Sequence, residues 1–123
     1  MAHPQYQQCA EACLECVIAC NQCAISCLGE KMVAELKDCI QLDLECAAIC
    51  SSTADLLNIN SKYAPDICAL CIKVCNACAE ECEKHALMGM DHCRRCAEAC
   101  RNCVKECSWL MTGKVSVDYD YTE

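Results

Sequence analysis

Cysteine recurs at Cys9, Cys13, Cys16, Cys20, Cys23 and Cys27, in steps of four, three, four, three and four residues. An α-helix turns every 3.6 residues, so this alternation holds all six thiols on one stripe. Those are the a and d positions at which a bundled helix carries Leu or Ile. The rhythm returns at Cys68, Cys71, Cys75, Cys78 and Cys82, and again at Cys93, Cys96, Cys100, Cys103 and Cys107. A chain with three such segments must pack helices whose buried stripes are sulfur. No strand pattern competes, apart from a weak alternation in the last residues.

The spacing predicts a helix over about residues 5–28, stopped at Gly29. A second spans about 31–58, with the stripe Met32, Leu36, Cys39, Asp43, Cys46, Cys50, Thr53 and Leu57. Asp43 stands where a thiol is due, and a lone carboxylate in a core stripe is costly unless paired or bound to a cation. After a loop from Asn58 to Ala64, Pro65 and Asp66 suit the first turn of a third helix, about 65–85. One step of three past Cys82, an imidazole, His85, takes the next sulfur position. Residues 86–90 form a short connection, as between antiparallel neighbours. Asp91 is then read as N-cap of a fourth helix over about 91–111, whose outer face carries Arg94, Arg95, Glu98, Arg101, Asn102 and Lys105. The fold expected is all-α, an antiparallel up-down-up-down four-helix bundle with a Cys-lined core. It forms one domain, residues 1–111, followed by a mobile acidic tail, 112–123, to which no chemistry is assigned.

This topology separates two ends. One gathers Cys27, Met32, Cys39, Cys82, His85, Met88, Met90, His92 and Cys93. The other extends the stripes to Tyr6, Leu57, Ala64 and Leu110, an apolar plug. A further apolar line on the first helix, Leu14, Ile18, Ile25 and Leu28, lies opposite its cysteines. One core cannot bury both lines, so the second is read as a subunit interface.

Nineteen cysteines in 123 residues would suit a small secreted disulfide scaffold. Against that, the N-terminus has no secretory pattern, the cysteine number is odd, and same-stripe neighbours are poorly aimed for disulfides. A reducing cytosol fits better, where regular thiols mean metal or redox chemistry. No apolar stretch is read as a membrane span of ~20 residues, so a soluble protein is expected. The net charge of −8 and five aromatic residues argue against nucleic acid. No Ser/His/Asp arrangement, phosphate loop or paired catalytic carboxylates appear, so no enzyme is expected.

Nineteen small side chains used only as hydrophobes would leave the core underpacked, which makes metal binding the leading reading. Soft thiolates select Cu(I), Zn(II) or iron–sulfur clusters. No Cys-x2-Cys-x2-Cys run and no Cys-Pro favours a cluster. Zinc takes closed groups of four, which a continuous stripe does not define, and each four-thiolate site would keep two negative charges in a dry core. About one monovalent ion per thiolate leaves the interior near neutral. Two-coordinate binding needs sulfurs ~4.6 Å apart, taking ~2.3 Å per bond, and i,i+4 pairs can supply that separation. Cys9/Cys13, Cys16/Cys20, Cys23/Cys27, Cys46/Cys50, Cys71/Cys75, Cys78/Cys82, Cys96/Cys100 and Cys103/Cys107 are such pairs.

Over about residues 5–111 the sequence resembles the copper storage proteins, a cysteine-rich four-helix-bundle family, and without an export signal it is similar to the cytosolic branch. The resemblance implies many Cu(I) ions per subunit, held mainly by the nineteen cysteines, in a homotetramer. It also implies a mouth where His and Met supplement Cys, placed here at His85, His92, Met88 and Met90. Asp43, one turn inside, would orient an imidazole or offset the entering cation. The resulting reading is cytosolic Cu(I) storage and detoxification, with a copper chaperone or cuproenzyme as exchange partner. A thiol redox buffer and a zinc reservoir are the alternatives.

Overall fold

The computed structural model describes residues 4–111, so the tail expected at 112–123 lies outside the described residues. Four α-helices follow one another: α1, Pro4–Leu28; α2, Lys37–Asn58; α3, Ala64–Ala86; and α4, Asp91–Ser108. No strand occurs among the described residues. Each helix packs against its neighbours in sequence, and α4 closes on α1, giving the square of a four-helix bundle.

The antiparallel register can be read rung by rung. Between α1 and α4, Cys13 faces Cys103 at 3.6 Å, Cys16 faces Cys100 at 3.7 Å, Cys20 faces Cys96 at 3.7 Å and Cys23 faces Cys93 at 3.8 Å. Between α2 and α3, Cys39 faces Cys82 at 3.6 Å, Cys46 faces Cys75 at 3.5 Å and Cys50 faces Cys71 at 3.7 Å. As residue numbers climb on one helix they fall on its partner. The steps of four and three mirror each other across both pairs, which lets every rung meet without a slip.

Several boundaries depart from the sequence reading. The second helix begins at Lys37 rather than near Lys31, because a 3₁₀ turn, Val33–Leu36, leads into it. No side chain caps α2, and the tighter turn offers its own i→i+3 bonds to that end while burying Leu36 completely. Asp91 is the first residue of α4, not its N-cap. Met90 occupies the cap in extended backbone, and the Asp91 carboxylate instead accepts hydrogen bonds from Arg94 and Arg95. After Ser108 the chain tightens into a second 3₁₀ turn, Trp109–Met111.

Two helix ends are closed by paired backbone bonds. Past α3, Met90 N–H donates to His85 C=O and Gly89 N–H to Ala86 C=O. This six-to-one and five-to-two pattern needs a left-handed residue, and Gly89 supplies it at φ 92. Past α2, Ser61 bonds back to Leu56 and Asn60 to Leu57, with Asn60 at φ 54. The far end of the bundle is plugged: Tyr6, Leu57, Ala64 and Leu110 are all buried.

By length and composition alone, α1 over Tyr6–Leu28 is apolar enough for a membrane span, with mean hydropathy 1.3. The sequence reading missed this because cysteine ranks as apolar on that scale. The helix's thiols lie inside the bundle.

Candidate metal centre

None of the nineteen cysteines is more than 1% exposed. Each helix contributes one stripe, and the rungs connect sideways as well as across. Cys16 lies 3.8 Å from Cys46, Cys71 lies 3.8 Å from Cys103, and Cys13 lies 4.0 Å from Cys71. Along single helices the i,i+4 pairs Cys16/Cys20, Cys46/Cys50 and Cys71/Cys75 sit at 3.9 Å. Cys23/Cys27 and Cys103/Cys107 sit at 4.0 Å. The sulfurs therefore form a lattice along the bundle axis.

Packing also creates something a single stripe did not define. Groups of four sulfurs lie mutually within 4.8 Å, among them Cys16/Cys46/Cys50/Cys75, Cys16/Cys20/Cys46/Cys100, Cys20/Cys78/Cys96/Cys100 and Cys23/Cys27/Cys39/Cys93. The expectation that no quartets exist is thus corrected, since they assemble from different helices. They overlap, however: Cys16 and Cys46 belong to two of these groups, as do Cys20 and Cys100. Overlapping groups cannot all be separate closed tetrahedral sites, and shared sulfurs would have to bridge.

At Cys68 and Cys27, burial favours the protonated thiol in the metal-free core. Desolvation, with Cys13 and Cys71 nearby, pushes Cys68 up to about 12. Desolvation together with Cys39 pushes Cys27 up to about 12. A monovalent cation replacing each proton would leave the interior charge unchanged.

Cys9 and Cys107 depart from the set of free thiols, because they are joined in a disulfide. Same-helix neighbours were the pairs weighed in the sequence, but the α1–α4 register sets these two opposite each other, with Cα atoms 5.2 Å apart. Cys107 Sγ also lies 3.8 Å from Cys13 Sγ.

Asp43 fills the rung facing Cys78. It is fully buried and accepts from Cys78 and Cys96 at 3.3 Å each and from Cys82 at 3.6 Å, with Cys39 at 3.9 Å. Burial, reinforced by Cys96, Cys39 and Cys78, pushes its carboxyl up to about 11, so it is neutral near pH 7. The imidazole expected beside it is not its partner. That imidazole, His85, is buried and pairs through Nε2 with Glu81 Oε2 at 3.1 Å.

The end opposite the apolar plug gathers the other sequence candidates unevenly. His92 Nε2 lies 3.7 Å from a Glu30 carboxylate oxygen across the α1–α4 corner. Met90 is buried and Met88 exposed on the connecting turn, while Met32 packs partly against the core. Glu81 and Glu30 were not singled out from sequence. The i,i+4 spacing of Glu81 and His85 was a visible signal for the first pair, whereas the second needs the fold.

The family described as copper storage protein matches residues 2–112. A cytosolic copper storage protein from Streptomyces lividans, solved during copper loading with five coppers, is 42% identical. It superposes with a TM-score of 0.83, covering 89% of this chain and 93% of that one. The Cu(I)-bound copper storage protein BsCsp3 is 41% identical, with a TM-score of 0.81 over 88% of this chain and 99% of that one. The uncharacterized cysteine-rich protein YhjQ of Bacillus subtilis is 44% identical over 68 residues, 54% of this chain. The match spans 63% of the length of that curated relative. With its four cysteine-striped helices and a family match over nearly its whole length, the chain belongs to the copper storage protein family.

Proposed function

We propose that this chain stores and detoxifies copper, holding many Cu(I) ions, about one per cysteine, on core thiolates, in the cytoplasm and without catalysing a reaction. The observation that carries this reading is the sulfur lattice, interrupted on α2 by Asp43, with neighbours at 3.5–4.0 Å linking all four helices. Two-coordinate Cu(I) between sulfurs needs ~4.6 Å, so each ion asks only for a small side-chain adjustment. One proton leaves for each monovalent ion that arrives, and the dry core stays neutral. The copper-loaded relatives support the same cargo.

All nineteen cysteines are assigned as ligands, and using Cys9 and Cys107 requires that their disulfide first be reduced. Copper enters at the end bearing His85, His92, Met88 and Met90 and passes inward past Asp43, since the other end is plugged. The exposed α1 line of Leu14, Ile18, Ile25 and Leu28 forms the contact of a homotetramer. A copper chaperone or cuproenzyme exchanges metal at the mouth, the protein contacts neither membrane nor nucleic acid, and residues 1–111 make up the storage domain.

A zinc reservoir is disfavoured by the overlap of the quartets and by the charge each would retain. A thiol redox buffer has the Cys9–Cys107 disulfide in its favour, but enclosed thiols in an acidic protein are poor redox sensors.

The deciding experiment is anaerobic titration of the reduced full chain with Cu(I) against a competing chelator. Uptake approaching one ion per thiol is expected, and saturation at a handful of ions would overturn the reading. Replacing His85 by Ala should slow loading while leaving capacity nearly unchanged; a large loss of capacity would remove its role at the mouth.

A further inference from the structure

His85 carries a buried ring atom that no protein group satisfies. Its Nε2 faces Glu81 Oε2 at 3.1 Å, while Nδ1 is enclosed and has no hydrogen-bond partner. The ring is buried on the thiol stripe, one step past Cys82. A carboxylate can only accept, so the atom facing Glu81 must carry the proton. The opposite tautomer would set an imidazole lone pair against carboxylate lone pairs and bury an N–H with nothing to receive it. An imidazolium would bury that same N–H unmet. Only the neutral ring protonated at Nε2 leaves Nδ1 as a bare lone pair. In a protein whose cargo is a soft cation, that is the form of imidazole that binds it.

We infer that Glu81 is a positioning residue: it fixes His85 in the Nε2–H tautomer and so presents Nδ1 as the ring's metal-binding atom at the mouth. Glu81 itself touches no copper. It stands one turn before His85 on α3, where i and i+4 side chains share a face, so the pair is held by the helix. Lys84 Nζ, 3.1 Å from Glu81 Oε1, occupies the other carboxylate oxygen and leaves Oε2 to the ring. This inference rests on the copper reading above, but half of its test does not.

The test uses the reduced, metal-free full chain, uniformly labelled with ¹⁵N. Long-range ¹H–¹⁵N correlation reports which ring nitrogen bears the proton, and His85→Gln identifies the signals. The Nε2–H tautomer is expected in the parent chain. Glu81→Ala should lose the preference, and Glu81→Gln, whose amide oxygen can still accept, should retain it. Cu(I), which is diamagnetic, added to saturation should then move the Nδ1 resonance while the Nε2 proton persists, and an unmoved Nδ1 resonance would overturn the inference. In stopped-flow transfer from a chelator, Glu81→Ala should slow the first uptake several-fold, towards the rate of His85→Ala, at unchanged capacity. A parent ring protonated at Nδ1, or a copper-induced shift at Nε2, would overturn the inference. So would a tautomer and uptake rate untouched by Glu81→Ala. Failure of the chain to bind Cu(I) in bulk would instead strike the storage reading, and the tautomer result would stand apart from it.

Discussion

At the scale of single residues, Asp43 is the costliest group in the bundle. It spends a stripe position on a carboxyl ringed by thiols, and its proton is held up to about 11, first by burial. An Asp in the unfolded chain titrates near ~3.9. Between those values the unfolded state has lost a proton that the fold retains, so the unfolded state binds fewer protons. Stability of the metal-free protein must therefore fall as pH rises through that window, by at most about 1.4 kcal/mol per pH unit. Cys27 and Cys68, pushed up to about 12, add a loss of the same sign above their ordinary thiol range. Asp43→Asn keeps the shape and removes the titration. Urea unfolding of the reduced, copper-free chain should show the wild type weakening from about pH 5 to about pH 7.5 and the variant holding its midpoint. Parallel losses in the two proteins would mean that Asp43 is not held neutral.

At the scale of elements, the turn after α3 decides how the mouth is built. Gly89 sits at φ 92 with nothing within 4 Å of where a Cβ would stand. Gly89→Ala therefore meets no clash and suffers only left-handed backbone strain, roughly 1–2 kcal/mol. Its unfolding midpoint should drop while copper capacity stays unchanged, and an unaltered midpoint would show that the paired bonds to His85 and Ala86 are not constraining. The helices themselves were legible in the sequence. The steps of α1 read forward match those of α4 read backward, and those of α2 and α3 match in the same way, with Asp43 taking one rung. The 3₁₀ lead-in to α2 was not legible, because Val33-Ala34-Glu35-Leu36 carries no signal that separates a tight turn from a looser one. Nor were the quartets, the Cys9–Cys107 bond or the Glu30–His92 pairing, each of which needs side chains from distant parts of the chain to meet in space. The surprise at Asp43 has the same origin: its thiol neighbours come from α3 and α4 as well as from its own helix.

At the scale of the molecule, a core of small thiols gives up the packing that Leu and Ile would supply, and the cargo restores it. Each ion bound by the folded state alone raises stability, by about 2.7 kcal/mol when free ligand is a hundredfold above its dissociation constant. The loaded protein should unfold at a markedly higher temperature, and removing copper with a chelator should return the transition to its starting point. The apolar surface makes a separate demand. Ile18 and Ile25 are 57% and 69% exposed, and Leu28 adjoins Val33, Ile40 and Leu44 around an apolar depression of about 430 Å³. A stripe of this kind on a small protein calls for a partner, and a second copy of the bundle offers the same apolar surface in return. Charges placed there would have to be buried unpaired, so Ile18→Glu with Ile25→Glu should dissociate the proposed homotetramer. Light scattering coupled to size exclusion would register the fall in mass. Because the thiol lattice lies wholly within each bundle, the dissociated chains should still bind the same number of Cu(I) ions per chain. A wild type that already runs as a monomer would dismiss the interface, and a drop in copper per chain would mean that the bundle relies on its neighbours to keep the core in register.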